Sequence, residues 1–265
     1  MPVLWTALAA AVVALAFVLH VRRTQRRVGA LETRLEAASR SLEALQRAFS
    51  RFAPAEVVED IIALGASTRS GKKEITVLFA DLKEFTALAE GLDPELLVRI
   101  LNDWFERMSR AINGHRGHVA KFIGDGMLAL FGALEANPWQ TSDAAHAALA
   151  MRDALAALNT QITGDGLPPL AMGVGIHRGP VVAGVIGSAE LMEYGVIGST
   201  VNVASRVERL TRVHGVDILV TDAVREVLDR RFRLRPMPPT EARGLSAALV
   251  TYALEGFGDG SASSP

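Results

Sequence analysis

The chain has 265 residues, a formal net charge of −1, 49% hydrophobic residues and no cysteine. The near-zero charge gives no support for nucleic acid as a partner, and the lack of cysteine excludes disulfides, thiolate catalysis and cysteine-ligated zinc. The length allows one or two domains with an ample core, and any bound metal must be held by oxygen or imidazole.

Residues 3–19 are apolar apart from Thr6, and the basic stretch HVRRTQRR follows directly. This pattern predicts a transmembrane helix over residues 1–20, at the short limit of the about 20 residues that span a bilayer. A cleaved signal peptide is the alternative, although it usually carries its positive charge before the apolar segment. Because basic residues stay on the cytoplasmic side, the sequence predicts a single-pass protein of the plasma (inner) membrane with the rest of its chain in the cytoplasm.

Residues 21–53 combine the basic juxtamembrane segment with a heptad repeat. Apolar residues recur at two positions of four unbroken heptads, namely Val28, Leu35, Leu42 and Phe49, and Leu31, Ala38, Leu45 and Phe52. The spacing predicts a parallel dimeric coiled coil, and a single amphipathic helix lying on its own domain is the alternative. Residues 54–73 follow as a short helix opened by Pro54 and a linker rich in Gly, Ser, Lys and Arg.

Residues 74–256 are predicted to form one domain, and residues 257–265 a disordered tail. The first long helix begins at Asp93 and Pro94 and carries an apolar stripe, including Trp104, that is predicted to be core only. Strands and helices alternate around one tight hairpin, which is typical of an α+β fold with a mixed sheet. The remaining strands are predicted at 74–81, 118–123, 127–131, 170–179, 194–198, 217–220 and 249–254, and the remaining helices at 142–162, 199–215 and 222–228.

Two carboxylates lie at the ends of predicted strands. Asp81 ends the first strand, and Asp125 lies between Gly124 and Gly126, a pattern that on its own indicates a structural hairpin turn. If the two strands are neighbours, both carboxylates reach one edge of the sheet and attract a cation, for which oxygen ligands favour Mg²⁺ or Mn²⁺. Backbone N–H groups after Asp81 could bind phosphate oxygens, and no Walker-type loop is present. The spacing predicts a two-metal phosphoryl-transfer site.

Four motifs in this domain resemble those of the class III nucleotidyl (adenylate/guanylate) cyclase domain. They are FADLKEFT, KFIGDGMLALFG, GIHRGPVVAGVIG and YGVIGSTVNVASR, in this order. The similarity covers about residues 74–255. It implies a ferredoxin-like βαββαβ core that works as a head-to-tail homodimer, with active sites at the interface between two chains.

The resemblance also implies roles for individual residues. Asp81, Asp125 and the Leu82 carbonyl correspond to the ligands of two Mg²⁺ or Mn²⁺ ions per active site. Lys121 corresponds to the residue that binds the adenine ring, and Asn202 and Arg206 to the catalytic pair that orients the ribose and stabilises the transition state. Further substrate contacts are expected from Glu84, Phe85, Thr86, Gly195, Val196 and Arg243.

The reaction implied by the resemblance is conversion of ATP to 3′,5′-cyclic AMP and pyrophosphate, in signal transduction. Gly195 departs from the family pattern, because adenylate cyclases usually carry Asp, Thr or Ser there, so base selection rests on Lys121 and the backbone. A guanylate or mixed-specificity cyclase and a catalytically silent dimerisation module are alternatives. IGDGM lacks the acidic double-glycine signature of diguanylate cyclases, and a coiled-coil adaptor would need no paired carboxylates.

His177, between two glycines, is predicted to be a structural turn residue.

Overall fold

The structure is a computed structural model that describes residues 20, 25, 34–41, 71–187, 192–241 and 248–258. The chain divides into two compact units, Met1–Ala63 and Leu64–Pro265. In the first unit the described residues are helical, and Leu35, a predicted seam residue of the coiled coil, is 72% exposed in the single chain. No helix among the described residues is long and apolar enough to cross a membrane. The predicted span at 3–19, most of the heptad repeat and the segment 54–70 lie outside the described residues.

The second unit begins with the βαββαβ arrangement that the resemblance implies. Its central strands run in the order β2-β3-β1-β4, with each neighbouring pair antiparallel. This order is that of the ferredoxin-like fold, so the predicted core is confirmed. The elements are β1 (Gly71–Lys83), α1 (Phe85–Ala89), α2 (Pro94–Asn113), β2 (His118–Ile123), β3 (Gly126–Phe131), α3 (Gln140–Gly164) and β4 (Ala171–Gly187).

The second half of the unit extends the sheet beyond β4. Strand β5 forms an antiparallel pair with the distal part of β4, and β6 pairs in parallel with its proximal part. Strand β7, at the sheet edge, is absent from the sequence prediction because its Arg-rich sequence FRLRP lacks a β-branched run. The elements are β5 (Met192–Ile197), α4 (Ser199–His214), β6 (Ile218–Thr221), α5 (Asp222–Arg225), β7 (Phe232–Pro236) and β8 (Thr251–Phe257).

Helix α2 forms where the sequence predicts it. The Asp93 side chain accepts hydrogen bonds from the backbone N–H groups of Glu95 and Leu96, and Pro94 occupies the first turn. The buried residues on the helix are Ile100, Trp104, Met108 and Ile112. Their four-residue spacing forms one apolar stripe, and burying each such side chain contributes about 1.5–3 kcal/mol.

The sheet has two faces, and alternation along β1 assigns each residue to one of them. Leu78 and Leu82 point into the large core with α2 and α3, whereas Ile75 and Val77 belong to a second cluster that also includes Ala204 of α4. Asp81 is an even number of positions away from Ile75 and Val77, so its side chain lies on the same face of the strand. The alternation therefore places the Asp81 carboxylate on the α4 side of the sheet.

Strand β1 begins at Gly71 rather than at residue 74, so the last three residues of the predicted linker belong to the sheet. They pair with the Val181–Ala183 segment of β4, which itself continues to Gly187, beyond the predicted end at 179. Lys73 donates through Nζ to the carbonyl oxygen of Ala133 at 2.5 Å. Long-range pairing thus holds a lysine-rich segment that local composition assigns to a linker.

Candidate active site

Asp81 and Asp125 are brought together at one edge of the sheet. Strands β1 and β3 are neighbours, with Ala80 opposite Met127, so the end of β1 lies beside the β2–β3 turn. A Cβ on Gly126 would lie 2.8 Å from Asp81 Oδ1, which means that only glycine leaves room for this carboxylate. Burial raises the pKa of Asp125, and the nearby charge of Asp81 raises it further. The expectation that the two acids share one edge is therefore correct, and the arrangement favours a cation.

Trp104 supports the turn that carries Asp125 through a hydrogen bond. Gly124 has a φ of +62°, a left-handed conformation that glycine adopts without steric cost. The Trp104 ring is fully buried, and its Nε1 donates a hydrogen bond to the Asp125 carbonyl oxygen at 3.1 Å. The prediction that Trp104 faces the core is confirmed, and its indole N–H in addition supports the turn. The sequence contained a signal for this hydrogen bond, because a tryptophan in a buried stripe needs an acceptor for its indole N–H.

Arg212, on α4, contacts both of the predicted metal ligands at the end of β1. Its Nη2 lies 2.8 Å from Asp81 Oδ2 and 3.1 Å from the Leu82 carbonyl oxygen. Its Nη1 donates to Oε1 of Glu208, one helical turn earlier. Burial raises the pKa of Glu208, while the charge of Arg212 opposes that change. The sequence analysis did not predict a role for Arg212 or Glu208. An i,i+4 pair of opposite charge is typical of an ordinary exposed helix surface.

Asn202 and Arg206 lie on the same helix as Arg212 but on another side of it. At about 100° per residue, they point about 120° away from Glu208 and Arg212. Asn202 is exposed and Arg206 is half-buried, and neither makes a side-chain hydrogen bond or ion pair within the described part of the chain. The structure of one chain therefore does not bring this predicted catalytic pair to its own Asp81.

The predicted base-binding residues lie on two different strands. Lys121 is exposed on β2, directly after a bulge between Val119 and Lys121. Gly195 and Val196 lie on β5, where Gly195 is opposite Gly184 and Val196 packs against the second cluster. Strands β2 and β5 are not neighbours in the sheet.

The predicted phosphate-binding segment follows β1. Glu84 has a φ of +56°, an uncommon conformation for a non-glycine residue, and it precedes the five-residue helix α1. The Phe85 side chain is buried in the main core, so only its backbone is available to a substrate. Thr86 is exposed in the first turn of α1, and Arg243 lies outside the described residues.

His177 is not in a turn, as the sequence suggested, but in the middle of β4. Its Nδ1 lies 2.9 Å from Thr221 Oγ1, and burial lowers the pKa of His177 to about 4. The imidazole is therefore neutral at pH 7. Among the described residues no group of three or more His, Asp or Glu side chains forms a metal site, which leaves Asp81 and Asp125 as the carboxylate pair.

The nucleotidyl cyclase class is defined by a ferredoxin-like core in which two carboxylates converge, one after β1 and one at the β2–β3 turn. A helix with an Asn and an Arg one turn apart follows this core. Residues 68–256 match the family model of the adenylate and guanylate cyclase catalytic domain, and the chain belongs to this family.

Similar proteins include both kinds of cyclase. The chain is 33% identical over 210 residues to "Adenylate cyclase 1" of Rhizobium meliloti, covering 78% of this chain and 32% of that protein. It is 35% identical over 236 residues to "Adenylate cyclase" of Anabaena cylindrica, covering 85% of this chain and 46% of that protein. The crystal structure of the guanylyl cyclase Cya2 is 35% identical with a TM-score of 0.68, covering 72% of this chain and 96% of that one. The chain thus spans less than half the length of the two adenylate cyclases.

Proposed function

We propose that this protein is an adenylate cyclase that converts ATP to 3′,5′-cyclic AMP and pyrophosphate in signal transduction. The observation that carries the proposal is the convergence of Asp81 and Asp125 at one sheet edge in a cyclase catalytic domain. A catalytically silent dimerisation module would not need to keep both carboxylates and the Asn202–Arg206 pair.

The carboxylate pair fits the divalent metals that cyclases of this family use. Asp81, Asp125 and the Leu82 carbonyl supply only oxygen donors, which suit two Mg²⁺ or Mn²⁺ ions. When bound there, such ions would neutralise the triphosphate and favour loss of the proton from the ribose 3′-hydroxyl. Burial raises the pKa of Asp125 and the nearby charge of Asp81 raises it further, as expected for two carboxylates that lie close together at this edge.

Asn202 and Arg206 act on the substrate held by the partner chain. They lie on a different side of α4 from the residues that contact Asp81, so a head-to-tail homodimer is the arrangement that lets them reach a metal-bound nucleotide. Arg206 would stabilise the negative charge that grows on the phosphoryl oxygens, because a guanidinium stays protonated and keeps a fixed planar geometry. Asn202 would hold the ribose in position for in-line attack.

Lys121 favours ATP, because its ammonium group can donate to N1 of adenine, whereas N1 of guanine carries a hydrogen and cannot accept. Gly195 has no side chain to accept from the adenine amino group, which weakens the preference. A guanylate or mixed-specificity cyclase is the second candidate, and the 35% identity to the guanylyl cyclase Cya2 favours it.

We also propose that residues 1–20 anchor the chain in the plasma (inner) membrane and that residues 21–53 hold two chains in a parallel coiled coil, leaving the catalytic domain cytoplasmic. The support is the apolar segment at 3–19, the arginines that follow it and the unbroken heptads. Tethering would raise the effective concentration of the two catalytic domains.

The test is cyclic nucleotide formation by the purified full-length chain in detergent. We expect cyclic AMP from ATP with Mn²⁺, and no product from Asp81→Asn or Asp125→Asn proteins with unchanged circular dichroism, since an amide does not neutralise a divalent cation. Cyclic GMP as the main product would favour the guanylate alternative. If folded dimers form no product from either nucleotide, the result would favour the catalytically silent dimerisation module.

A further inference from the structure

The guanidinium of Arg212 is bound to oxygens that the metal site uses. It donates to Asp81 Oδ2 at 2.8 Å and to the Leu82 carbonyl oxygen at 3.1 Å, and a second nitrogen donates to Glu208 Oε1. The proposed reaction assigns no role to Arg212 or Glu208. The planar fork of a guanidinium can hold several oxygens in a fixed relation, which a lysine cannot do.

Two glycines of β4 let α4 come close enough to make this contact. Gly173 pairs with Asp81 across the sheet, and a Cβ on Gly173 would lie 2.7 Å from Glu208 Oε1 and 2.3 Å from Thr211 Oγ1. A Cβ on Gly175 would lie 2.1 Å from the backbone nitrogen of Glu208. A side chain at Gly175 would push α4 away from the sheet, and one at Gly173 would displace the side chains of Glu208 and Thr211. The Gly173–Gly175 segment thus fixes the position from which Arg212 reaches Asp81.

The contact with Arg212 divides the two oxygens of Asp81 between two neighbours. Oδ2 accepts from Arg212, whereas Oδ1 lies beside Gly126, next to Asp125. The Leu82 carbonyl oxygen has two lone pairs, so it can accept from Arg212 and still bind a cation. In this arrangement one oxygen of Asp81 lies beside the turn that carries Asp125.

Glu208 keeps Arg212 from acting as a competing positive charge. Its carboxylate is buried, with 7% of the side chain exposed, and lies within ion-pair distance of the guanidinium. Glu208 and Arg212 therefore largely cancel each other's charge, and the negative charges of Asp81 and Asp125 remain for the divalent cations. Partners of metal ligands commonly act in this way, by fixing the orientation of the ligand rather than by touching the metal.

We propose that Arg212 is a positioning residue of the metal site: it holds Asp81 and the Leu82 carbonyl so that Asp81 Oδ1 faces Asp125, and Glu208 supplies its counter-charge. This inference rests on the proposed function, because it assumes that Asp81 binds the cation. Removing the guanidinium frees the Asp81 side chain to rotate, and loss of such a partner typically weakens metal binding about 10- to 100-fold.

The experiment measures Mn²⁺ binding by the full-length dimer, using the loss of the electron paramagnetic resonance signal of free Mn²⁺. The titration is run with and without saturating α,β-methylene-ATP, which is not cyclised, and nucleotide affinity is measured separately at saturating Mn²⁺. We expect the Arg212→Ala protein to bind Mn²⁺ about 10- to 100-fold more weakly, with nucleotide affinity at saturating Mn²⁺ changed far less. Arg209→Ala is the matched control, because it removes the same charge from an exposed position on the same helix.

Two further variants keep the test decisive. Arg212→Lys retains the charge without the fork, so we expect a smaller loss in the same direction, and it replaces Arg212→Ala if that protein does not fold. Glu208→Gln should also weaken Mn²⁺ binding, because it leaves the charge of Arg212 uncompensated.

Unchanged or tighter Mn²⁺ binding by the Arg212 variants would overturn the proposal, and tighter binding would identify Arg212 as a competitor of the metal. Weaker nucleotide binding with unchanged Mn²⁺ affinity would also overturn it, since Arg212 would then be a phosphate ligand. If the parent protein itself binds no Mn²⁺, or if Asp81→Asn binds it normally, the proposed function fails instead.

Discussion

Replacing Gly175 with alanine should damage the active site without touching any residue that binds the substrate. Gly175 lies under α4, where an added Cβ would be 2.1 Å from the backbone nitrogen of Glu208 and 2.6 Å from the Ala204 carbonyl oxygen. Both atoms belong to the helix backbone, so no side-chain rotation can relieve the clash. Since non-bonded heavy atoms rest at about 3.5 Å or more, the helix would have to move away from the sheet by more than about 1 Å.

The size of the effect follows from what α4 carries. Asn202 and Arg206 would shift with the helix, and so would Arg212 with its bond to Asp81. A misplacement of about 1 Å can cost about 10²-fold in rate, and overpacking a core typically costs about 1–3 kcal/mol. For a domain of this size each kcal/mol lowers the Tm by about 2–4 °C.

The assay is cyclic AMP formation together with thermal unfolding of the purified protein. Gly164→Ala is the control, because a Cβ at the end of α3 meets nothing within 4 Å. We expect the control to match the parent, and Gly175→Ala to lose most of its activity even at temperatures where it remains folded. A Gly175→Ala protein with parental Tm and activity would show that the close approach of β4 and α4 does not set the site.

Three other predictions concern the partner chain, the base and the protonation of the core. Asp81→Ala and Arg206→Ala proteins should each be inactive alone, whereas co-expression should restore about a quarter of parental activity, because half the dimers are mixed and each mixed dimer has one intact site. No recovery from chains shown to exchange would place both residues in the same site. Gly195→Asp should raise the ratio of ATP to GTP use, because its carboxylate can accept from the adenine amino group. An added Cβ there meets only the flexible end of Ile186, at 3.2 Å, and an unchanged ratio would contradict the prediction. His177 takes up a proton near pH 6.5 when unfolded but only near pH 4 when folded, so stability is lost as the pH falls between these values. Urea unfolding at pH 7 and 5.5 should show a loss of about 1 kcal/mol that His177→Gln lacks, and an equal loss in the variant would refute the assignment.

Local signals in the sequence were sufficient for most of the secondary structure. The start of α2 was predictable because Asp93 caps the helix and Pro94 suits its first turn, both of which depend on neighbouring residues only. The β2–β3 turn was predictable because a glycine at position 124 accepts a positive φ. Strand β7 was not predictable because its Arg-rich sequence lacks a β-branched run. The first residues of β1 were not predictable because their pairing partners on β4 lie far away in the chain.

The sequence by itself determined which residues form the candidate site: two carboxylates after predicted strands, and an Asn and an Arg one helical turn apart. Only the tertiary structure decided how these residues are held. The bond between Arg212 and Asp81 joins residues 131 positions apart, and it exists because Gly175 lets α4 approach the sheet. Trp104 likewise reaches the Asp125 turn only after α2 has packed against the sheet. Such contacts depend on the distance between packed elements, which no local pattern of residues encodes.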